Sequence, residues 1–291
     1  MKQRIITALI MAVVLVPLVI LGEIPFVVLG MCAAYVAGYE LLNMFSTKHP
    51  SLKRYRFIYP AFNALLVLTN YFVLEGELEL SFYLFMIIAV FICAMIICLT
   101  NSNLNMSVFG LFATVTVYSG VFVSSLVSIR NVNSVAEVTD AKYMGLWLLI
   151  YLIASTMVTD IAAYFVGVKF GKKRLAPLIS PKKSVEGAIG GSVVGTICGT
   201  LVMVAIENYY GIGFLGIESK VLNIIMIVIL SLSITIIGQI GDLVASKFKR
   251  DYGIKDYSNI FPGHGGVLDR FDSLIATGTF MYIVFLFLGI L

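Results

Sequence analysis

The stretch from residue 242 to residue 272 holds most of the polar chemistry of the chain. Asp242, Ser246, Lys249, Arg250, Lys255, Asp256, His264, Asp269, Arg270 and Asp272 follow one another there, carboxylates interleaved with cations. That mixture suits a metal ion together with a polyphosphate. Hard oxygen ligands suit Mg2+, which commonly takes one or two carboxylates and leaves other positions to substrate phosphates. Only two histidines occur, His49 and His264, and no Cys-x-x-Cys pair occurs. Multi-histidine and thiolate metal sites are therefore excluded.

Spacing says which elements must carry these groups. In a helix, Asp242, Ser246, Lys249 and Arg250 fall at i, i+4, i+7 and i+8 and share one face. Asp269, Asp272 and Ser273, at i, i+3 and i+4, share another. Between them Pro262-Gly263-His264-Gly265-Gly266 reads as a turn whose glycines let backbone N–H groups approach a ligand. A second basic stretch, Lys182-Lys183-Ser184, precedes an apolar run, where a helix N-terminus would attract phosphate. Asp160 lies within a predicted membrane span. A charge there is costly and is a functional candidate by default. Tyr164 and Gly167 share its helical face.

The elements are those of a membrane protein. Of 291 residues, 60% are hydrophobic and 12% charged, and mean hydropathy is +1.00. Soluble domains carry about 25% charged residues, so a soluble enzyme, a disordered tail and a disulfide scaffold are poor readings. The four cysteines sit in apolar runs, and a net charge of +4 is small for a nucleic-acid binder. The fold class expected is all-α and polytopic, with about nine transmembrane helices near 5–22, 24–45, 57–74, 80–99, 108–129, 143–167, 188–206, 221–241 and 273–291. With the N-terminus in the cytoplasm, 17 of the 20 Lys and Arg fall inside, and only Arg130, Lys142 and Lys220 fall outside. The cell membrane, with the active site facing the cytoplasm, is the expected location. Residues 1–140 form the N-terminal spans. Residues 141–291 form the catalytic region, with cytoplasmic loops 168–187 and 242–272, in one continuous membrane domain.

Two motifs fail on context. Gly211-x-Gly213-x-x-Gly216 lies between two spans with no strand before it, so it does not read as a dinucleotide site. The run from Gly167 to Lys173 is one residue short of a P-loop and lacks the Ser or Thr after Lys. Gly187, Gly191, Gly195 and Gly199, four residues apart, read as a seam for close helix packing.

The stretch from Ser246 to Asp272 resembles the signature of the phosphatidate cytidylyltransferases, or CDP-diacylglycerol synthases, of the bacterial type. It supplies Ser246, Phe248, Lys249-Arg250, Lys255-Asp256, Ser258, Pro262 or its neighbour Phe261, His264-Gly265-Gly266-Val267, Asp269-Arg270-Phe271 and Asp272. Asp160, Tyr164, Gly167, Phe170-Gly171-Lys172, and Ile179 through Ser184 to Glu186-Gly187 are similar to a second stretch of that family. The likeness covers residues 160–272. The N-terminal part is similar only in being hydrophobic spans.

The resemblance implies a reaction in phospholipid biosynthesis, CTP plus phosphatidate giving CDP-diacylglycerol plus diphosphate. It also implies a metal centre carried by aspartates. Asp242 and Asp269 are the expected Mg2+ ligands, with a second cation nearby. Lys249, Arg250, Lys255 and Arg270 would hold the triphosphate. Lys182, Lys183 and Ser184 would hold the lipid phosphate or the nucleotide. Asp160, Asp256 and Asp272 are open between ligand, orienter of a lysine and helix cap. His264 is open between orienting a phosphate and shaping the turn. Ser246, Gly265, Gly266 and Glu186 complete the expected substrate-binding set. A CTP-dependent polyprenol kinase has similar needs, and an anionic-solute transporter is the alternative from another class. The transporter fits less well, because its charges belong near the midplane and here they gather on one side. The expected partners are the two substrates and the bilayer, with no nucleic acid. The glycine seam makes a homodimer a further expectation.

Overall fold

The structure, a computed structural model, describes residues 2–102, 104–132, 143–211, 215, 217 and 219–289. Lys142, Gly213 and Gly216, which the sequence reading used, lie outside the described residues. The helices are α1 (Lys2–Leu21), α2 (Glu23–Phe45), α3 (Tyr59–Leu74), α4 (Leu80–Thr100), α5 (Met106–Val115), α6 (Phe122–Arg130), α7 (Met144–Phe170), α8 (Val185–Tyr210), α9 (Lys220–Asp251) and α10 (Leu268–Leu288). A π-helical turn, Thr116–Val121, joins α5 to α6 into one continuous span. Helix therefore occurs in each of the nine expected places.

Seven of these stretches, among the described residues, are long and apolar enough to cross a membrane. The apolar parts of the other two, Ile5–Leu21 and Tyr59–Leu74, are shorter. By length, then, seven of the nine expected spans qualify outright, since a helix of 16 residues such as α3 rises only about 24 Å against about 30 Å of hydrocarbon. The chain is a multi-pass, all-α membrane protein. One small hairpin is added: β1 (Arg174–Ala176) pairs antiparallel with β2 (Ser180–Ser184).

The boundaries of the polar loops also shift. Helix α9 runs ten residues past the expected end at 241, and α10 begins at Leu268 rather than 273. The loop taken as 242–272 is therefore 252–267, and its flanks are helical. The loop taken as 168–187 is 171–184 and holds the hairpin.

Two compact units divide the chain: Met1–Asn131 with Phe248–Phe271, and Val132–Lys247 with Asp272–Leu291. In the first, buried polar stitches fix the register of α3 against the α5–α6 span. Asn63 Nδ2 donates to Ser119 Oγ at 2.9 Å, Asn70 Nδ2 to Ser128 Oγ at 2.7 Å, and Tyr59 Oη lies 2.7 Å from Thr116 Oγ1. Donors and hydroxyls paired in this way are spared the desolvation cost of unmet polar atoms, while Asn63 Oδ1 is buried with no hydrogen-bond partner among the described residues. The segment 248–271 joins this unit through aromatic rings. Phe248 meets Tyr118 edge-on at 6.0 Å, and Tyr252 packs on Phe45 at 5.1 Å with the Lys48 ammonium over its face.

The second unit rests on the glycine seam. Gly187, Gly191, Gly195 and Gly199 are buried on α8, and α7 lies against them. A Cβ on Gly195 would stand 1.9 Å from Thr159 Oγ1, so only glycine allows this approach of backbones. The packing role expected of the seam is what it performs. The same fact removes the basis for the homodimer, since the small-residue face is occupied within the chain. Tyr151 Oη, 2.9 Å from Ser231 Oγ, ties α7 to α9.

Candidate active site

In the second unit, the C-terminal parts of α7 and α9, the N-terminal end of α8 and the hairpin line a cavity of about 680 Å³. Asp160 on α7 and Asp242 on α9 line it, and so do Arg174, Lys182 and Lys183 of the hairpin. Two carboxylates and three cations thus meet in one space. Tyr164, Val168 and Leu175 give it an apolar wall. Lys183 Nζ pairs with Asp242 Oδ2, and the two side chains remain 28% and 27% exposed. Ser246 Oγ donates to Asp242 Oδ1 at 3.3 Å, one helical turn on, as the i, i+4 spacing predicts.

Local chemistry explains the shape of the hairpin. Ser184 is the N-cap of α8, its Oγ accepting the Gly187 N–H at 3.1 Å. Glu186 accepts the N–H of Lys172 at 3.0 Å and of Lys173 at 3.2 Å, which fastens the entry of the hairpin. Ser184 and Glu186 therefore serve the backbone, while Lys182 and Lys183 are left to face the cavity. A Cβ at Gly171 would come within 2.2 Å of Gly167 O, so the turn out of α7 needs glycine.

In the first unit, the loop between α9 and α10 folds around two carboxylates. Asp269 receives Lys249 Nζ on Oδ1 at 2.7 Å, and on Oδ2 the N–H of Tyr257 at 2.8 Å and of Gly266 at 2.9 Å. Its side chain is 3% exposed and that of Lys249 11%. The Lys249 ammonium also lies 5.2 Å from the Tyr257 ring centroid. The second carboxylate is Glu40 of α2. It is fully buried and accepts the N–H of Val267 and of Leu268, both at 2.9 Å, and Ser258 Oγ at 2.5 Å.

The glycines expected to approach a ligand are taken up here by the protein itself. Gly265 has φ +87°, where a side chain is strained, and the N–H of Gly266 goes to Asp269. His264 shapes the turn, its N–H reaching Phe261 O at 2.8 Å, while its Nδ1 is buried without a hydrogen-bond partner among the described residues. Arg250 donates to Ile254 O at 3.0 Å. Lys255, Asp256 and Arg270 are exposed on the loop and the first turn of α10. Asp272 belongs to the second unit, and its Oδ1 accepts the Ser273 N–H at 2.7 Å.

The structure brings together Asp160, Lys182, Lys183 and Asp242 in one unit, and Lys249 and Asp269 in the other. Sequence reasoning missed Glu40, Arg174 and Gln239. Gln239 lines the cavity and is fixed by donating to Ser192 Oγ at 2.8 Å. Glu40 and Gln239 could have been found by asking why polar side chains interrupt predicted spans.

The donor set fits Mg2+ in part. No group of three or more His, Cys, Asp or Glu is gathered among the described residues, so no cage made by the protein alone is present among them. One or two carboxylates with substrate phosphates suffice for this ion. Asp160 and Asp242 face one cavity, and the Lys183 ammonium already sits on Asp242 as a cation would. Asp269 is committed differently: a metal on its Oδ1 has to compete with Lys249.

Comparison with known proteins points to one family. Residues 2–288 match the cytidylyltransferase family. The phosphatidate cytidylyltransferase of Bacillus subtilis (strain 168) is 33% identical over 97% of this chain and 96% of its own. That of Staphylococcus saprophyticus is 29% identical over 94% and 95%. That of Haemophilus influenzae is 40% identical over 51% and 49%, about half of each protein. With a match running almost from end to end, the chain belongs to the cytidylyltransferase family.

Proposed function

We propose that the chain transfers the cytidylyl group of CTP to the phosphate of phosphatidate, giving CDP-diacylglycerol and diphosphate. The observation that carries this reading is the cavity of the second unit. It offers cations for phosphate, carboxylates for a metal and an apolar wall for a lipid, in a chain similar to phosphatidate cytidylyltransferases over its whole length.

A phosphomonoester oxygen attacks the α-phosphorus of CTP. One oxygen–phosphorus bond forms, the bond to the β-phosphate bridging oxygen breaks, and diphosphate leaves with the electron pair. The nucleophile is largely ionised at neutral pH, so no strong base is needed. The obstacle is repulsion between two polyanions, and catalysis is mainly charge neutralisation and alignment. Lys182, Lys183 and Arg174 supply positive charge at the cavity. Lys255 on the signature loop and Arg270 in the first turn of α10 supply it as well, Arg being able to grip phosphate with two parallel hydrogen bonds. Gln239 and Ser184 hold the cavity wall in place.

Mg2+ is the proposed cofactor; when bound it would offset phosphate charge at the reacting centre. Asp242, with Asp160, is the ligand pair that the cavity supports. Asp269 keeps its place in the proposal through its position in the signature, with Lys249 as its present cation.

The deciding experiment is product analysis on detergent-purified protein given phosphatidate, Mg2+ and labelled CTP. Diphosphate and CDP-diacylglycerol should appear with CTP or dCTP, and not with ATP. Release of CDP with transfer of the terminal phosphate would instead mark a CTP-dependent lipid kinase. No turnover of any nucleotide would favour a transporter.

The reading also requires the cavity to face the cytoplasm, which the Lys and Arg asymmetry supports. With α1 and α3 crossing despite their shorter apolar runs, single cysteines replacing Lys53, Lys183 and Glu77, in a background without Cys32, Cys93, Cys98 and Cys198, should label from the cytoplasm, the cytoplasm and outside, respectively. Labelling at 77 only from the cytoplasm would reverse the orientation.

A further inference from the structure

We infer that Glu40 is a positioning residue for the reaction: from α2 it holds the signature loop in its working shape. This rests on the cytidylyl-transfer reading for its effect on rate, and on geometry for everything else.

A fully buried carboxylate is costly unless its oxygens are met. Here the donors found among the described residues come from the loop between α9 and α10 and from the first residue of α10. Ser258 Oγ and the N–H of Val267 bond Oε1, and the N–H of Leu268 bonds Oε2. The partners lie 218 to 228 residues away in the chain. Leu268 opens α10, and the first N–H groups of a helix need acceptors from outside it. A Ser or Asp just before the helix usually supplies one. The residue there is Val267, which has no side-chain acceptor. Glu40 fills that role from a different helix.

The carboxylate approaches so closely that a Cβ at Gly266 would stand 2.2 Å from Glu40 Oε1. Thus Gly266 is glycine because Glu40 is there, and the two positions are coupled. Glu40 and Asp269 grip the same loop at adjoining points. Glu40 takes Ser258 and Val267, and Asp269 takes Tyr257 and Gly266. Loosening one grip moves the other, and with it Asp269 and Arg270.

The test uses full-length detergent-purified protein, with turnover per folded molecule, apparent KM for CTP, and amide hydrogen exchange of the 257–268 region. Glu40→Gln keeps the shape but turns one acceptor into a donor. It should lower kcat at least ~10-fold with little change in KM, since misplacement by about 1 Å can cost ~100-fold. Exchange should quicken in 257–268 and stay unchanged in α3 and α4. Gly266→Ala should be at least as severe. Adding Glu40→Asp, which withdraws the carboxylate by about one carbon–carbon bond of ~1.5 Å, should recover part of that loss, so the pair is non-additive. The inference is overturned if Glu40→Gln keeps kcat within twofold, if its loss tracks only folded yield with exchange unaltered in the loop, or if the double variant is additive. Should the wild type transfer no cytidylyl group, the functional reading fails, while exchange still decides whether Glu40 holds the loop.

Discussion

Asp242→Asn is expected to lower turnover at least ~10²-fold, the scale of losing one electrostatic catalytic group, while thermal stability changes little. Both halves follow from its setting. The carboxylate lines the cavity, paired with Lys183, and each side chain is more than a quarter exposed. Partly solvated pairs of this kind contribute little to folding. Asn keeps the shape, and its carbonyl oxygen can still accept from Ser246. What disappears is the anionic oxygen, and with it the attraction for a hard cation. Turnover across a Mg2+ titration, together with thermal unfolding, measures both halves. Near-wild-type turnover at low Mg2+ would remove Asp242 from the proposed metal site. Asp251→Asn, exposed at the end of α9 and outside the signature positions, should stay within about twofold, as surface changes usually do.

The sequence placed the helices well because a membrane span is a strong signal: length and apolarity together leave few alternatives. It also singled out Asp160, Lys183 and Asp242, which the structure brings to one cavity. A charge within a span and a basic pair before a helix each carry a physical expectation that does not depend on tertiary contacts. The hairpin was harder to see. Strands of three and five residues, the second reading Ser-Pro-Lys-Lys-Ser, show no apolar alternation. Their pairing is enforced by the clamp of Glu186 on Lys172 and Lys173 and by the Ser184 cap.

Glu40 shows the other kind of miss. The rule that singled out Asp160, a carboxylate within a predicted span, applies equally to residue 40. Its partners, however, are backbone N–H groups more than 200 residues on, which no local pattern announces. Gly265 and Gly266 were legible as glycines with a purpose, but not as to which. Their freedom admits two protein carboxylates, Asp269 and Glu40, where spacing alone suggested an incoming ligand.

Asp269→Asn should differ from Asp242→Asn in kind. Turnover should again fall at least ~10²-fold, but here folding suffers as well. The side chain of Asp269 is 3% exposed, and that of its partner Lys249 is 11% exposed. Removing one charge of a buried pair leaves the other uncompensated, which costs about 3–5 kcal/mol. The amide has one acceptor oxygen where the carboxylate has two, yet three donors converge on it: Lys249 Nζ and the N–H groups of Tyr257 and Gly266. Whichever way the amide turns, its NH2 faces a donor. Thermal unfolding should therefore drop clearly for Asp269→Asn and hardly for Asp242→Asn. Restoring charge balance separates the two consequences. Asp269→Asn with Lys249→Met, which keeps an unbranched side chain but removes the ammonium, should regain much of the stability and none of the turnover. Recovery of turnover in that double variant would make Asp269 a purely structural residue. Loss of turnover with full stability in the single variant would show instead that Lys249 tolerates solitude, and that the buried pair matters less to the fold than its geometry indicates.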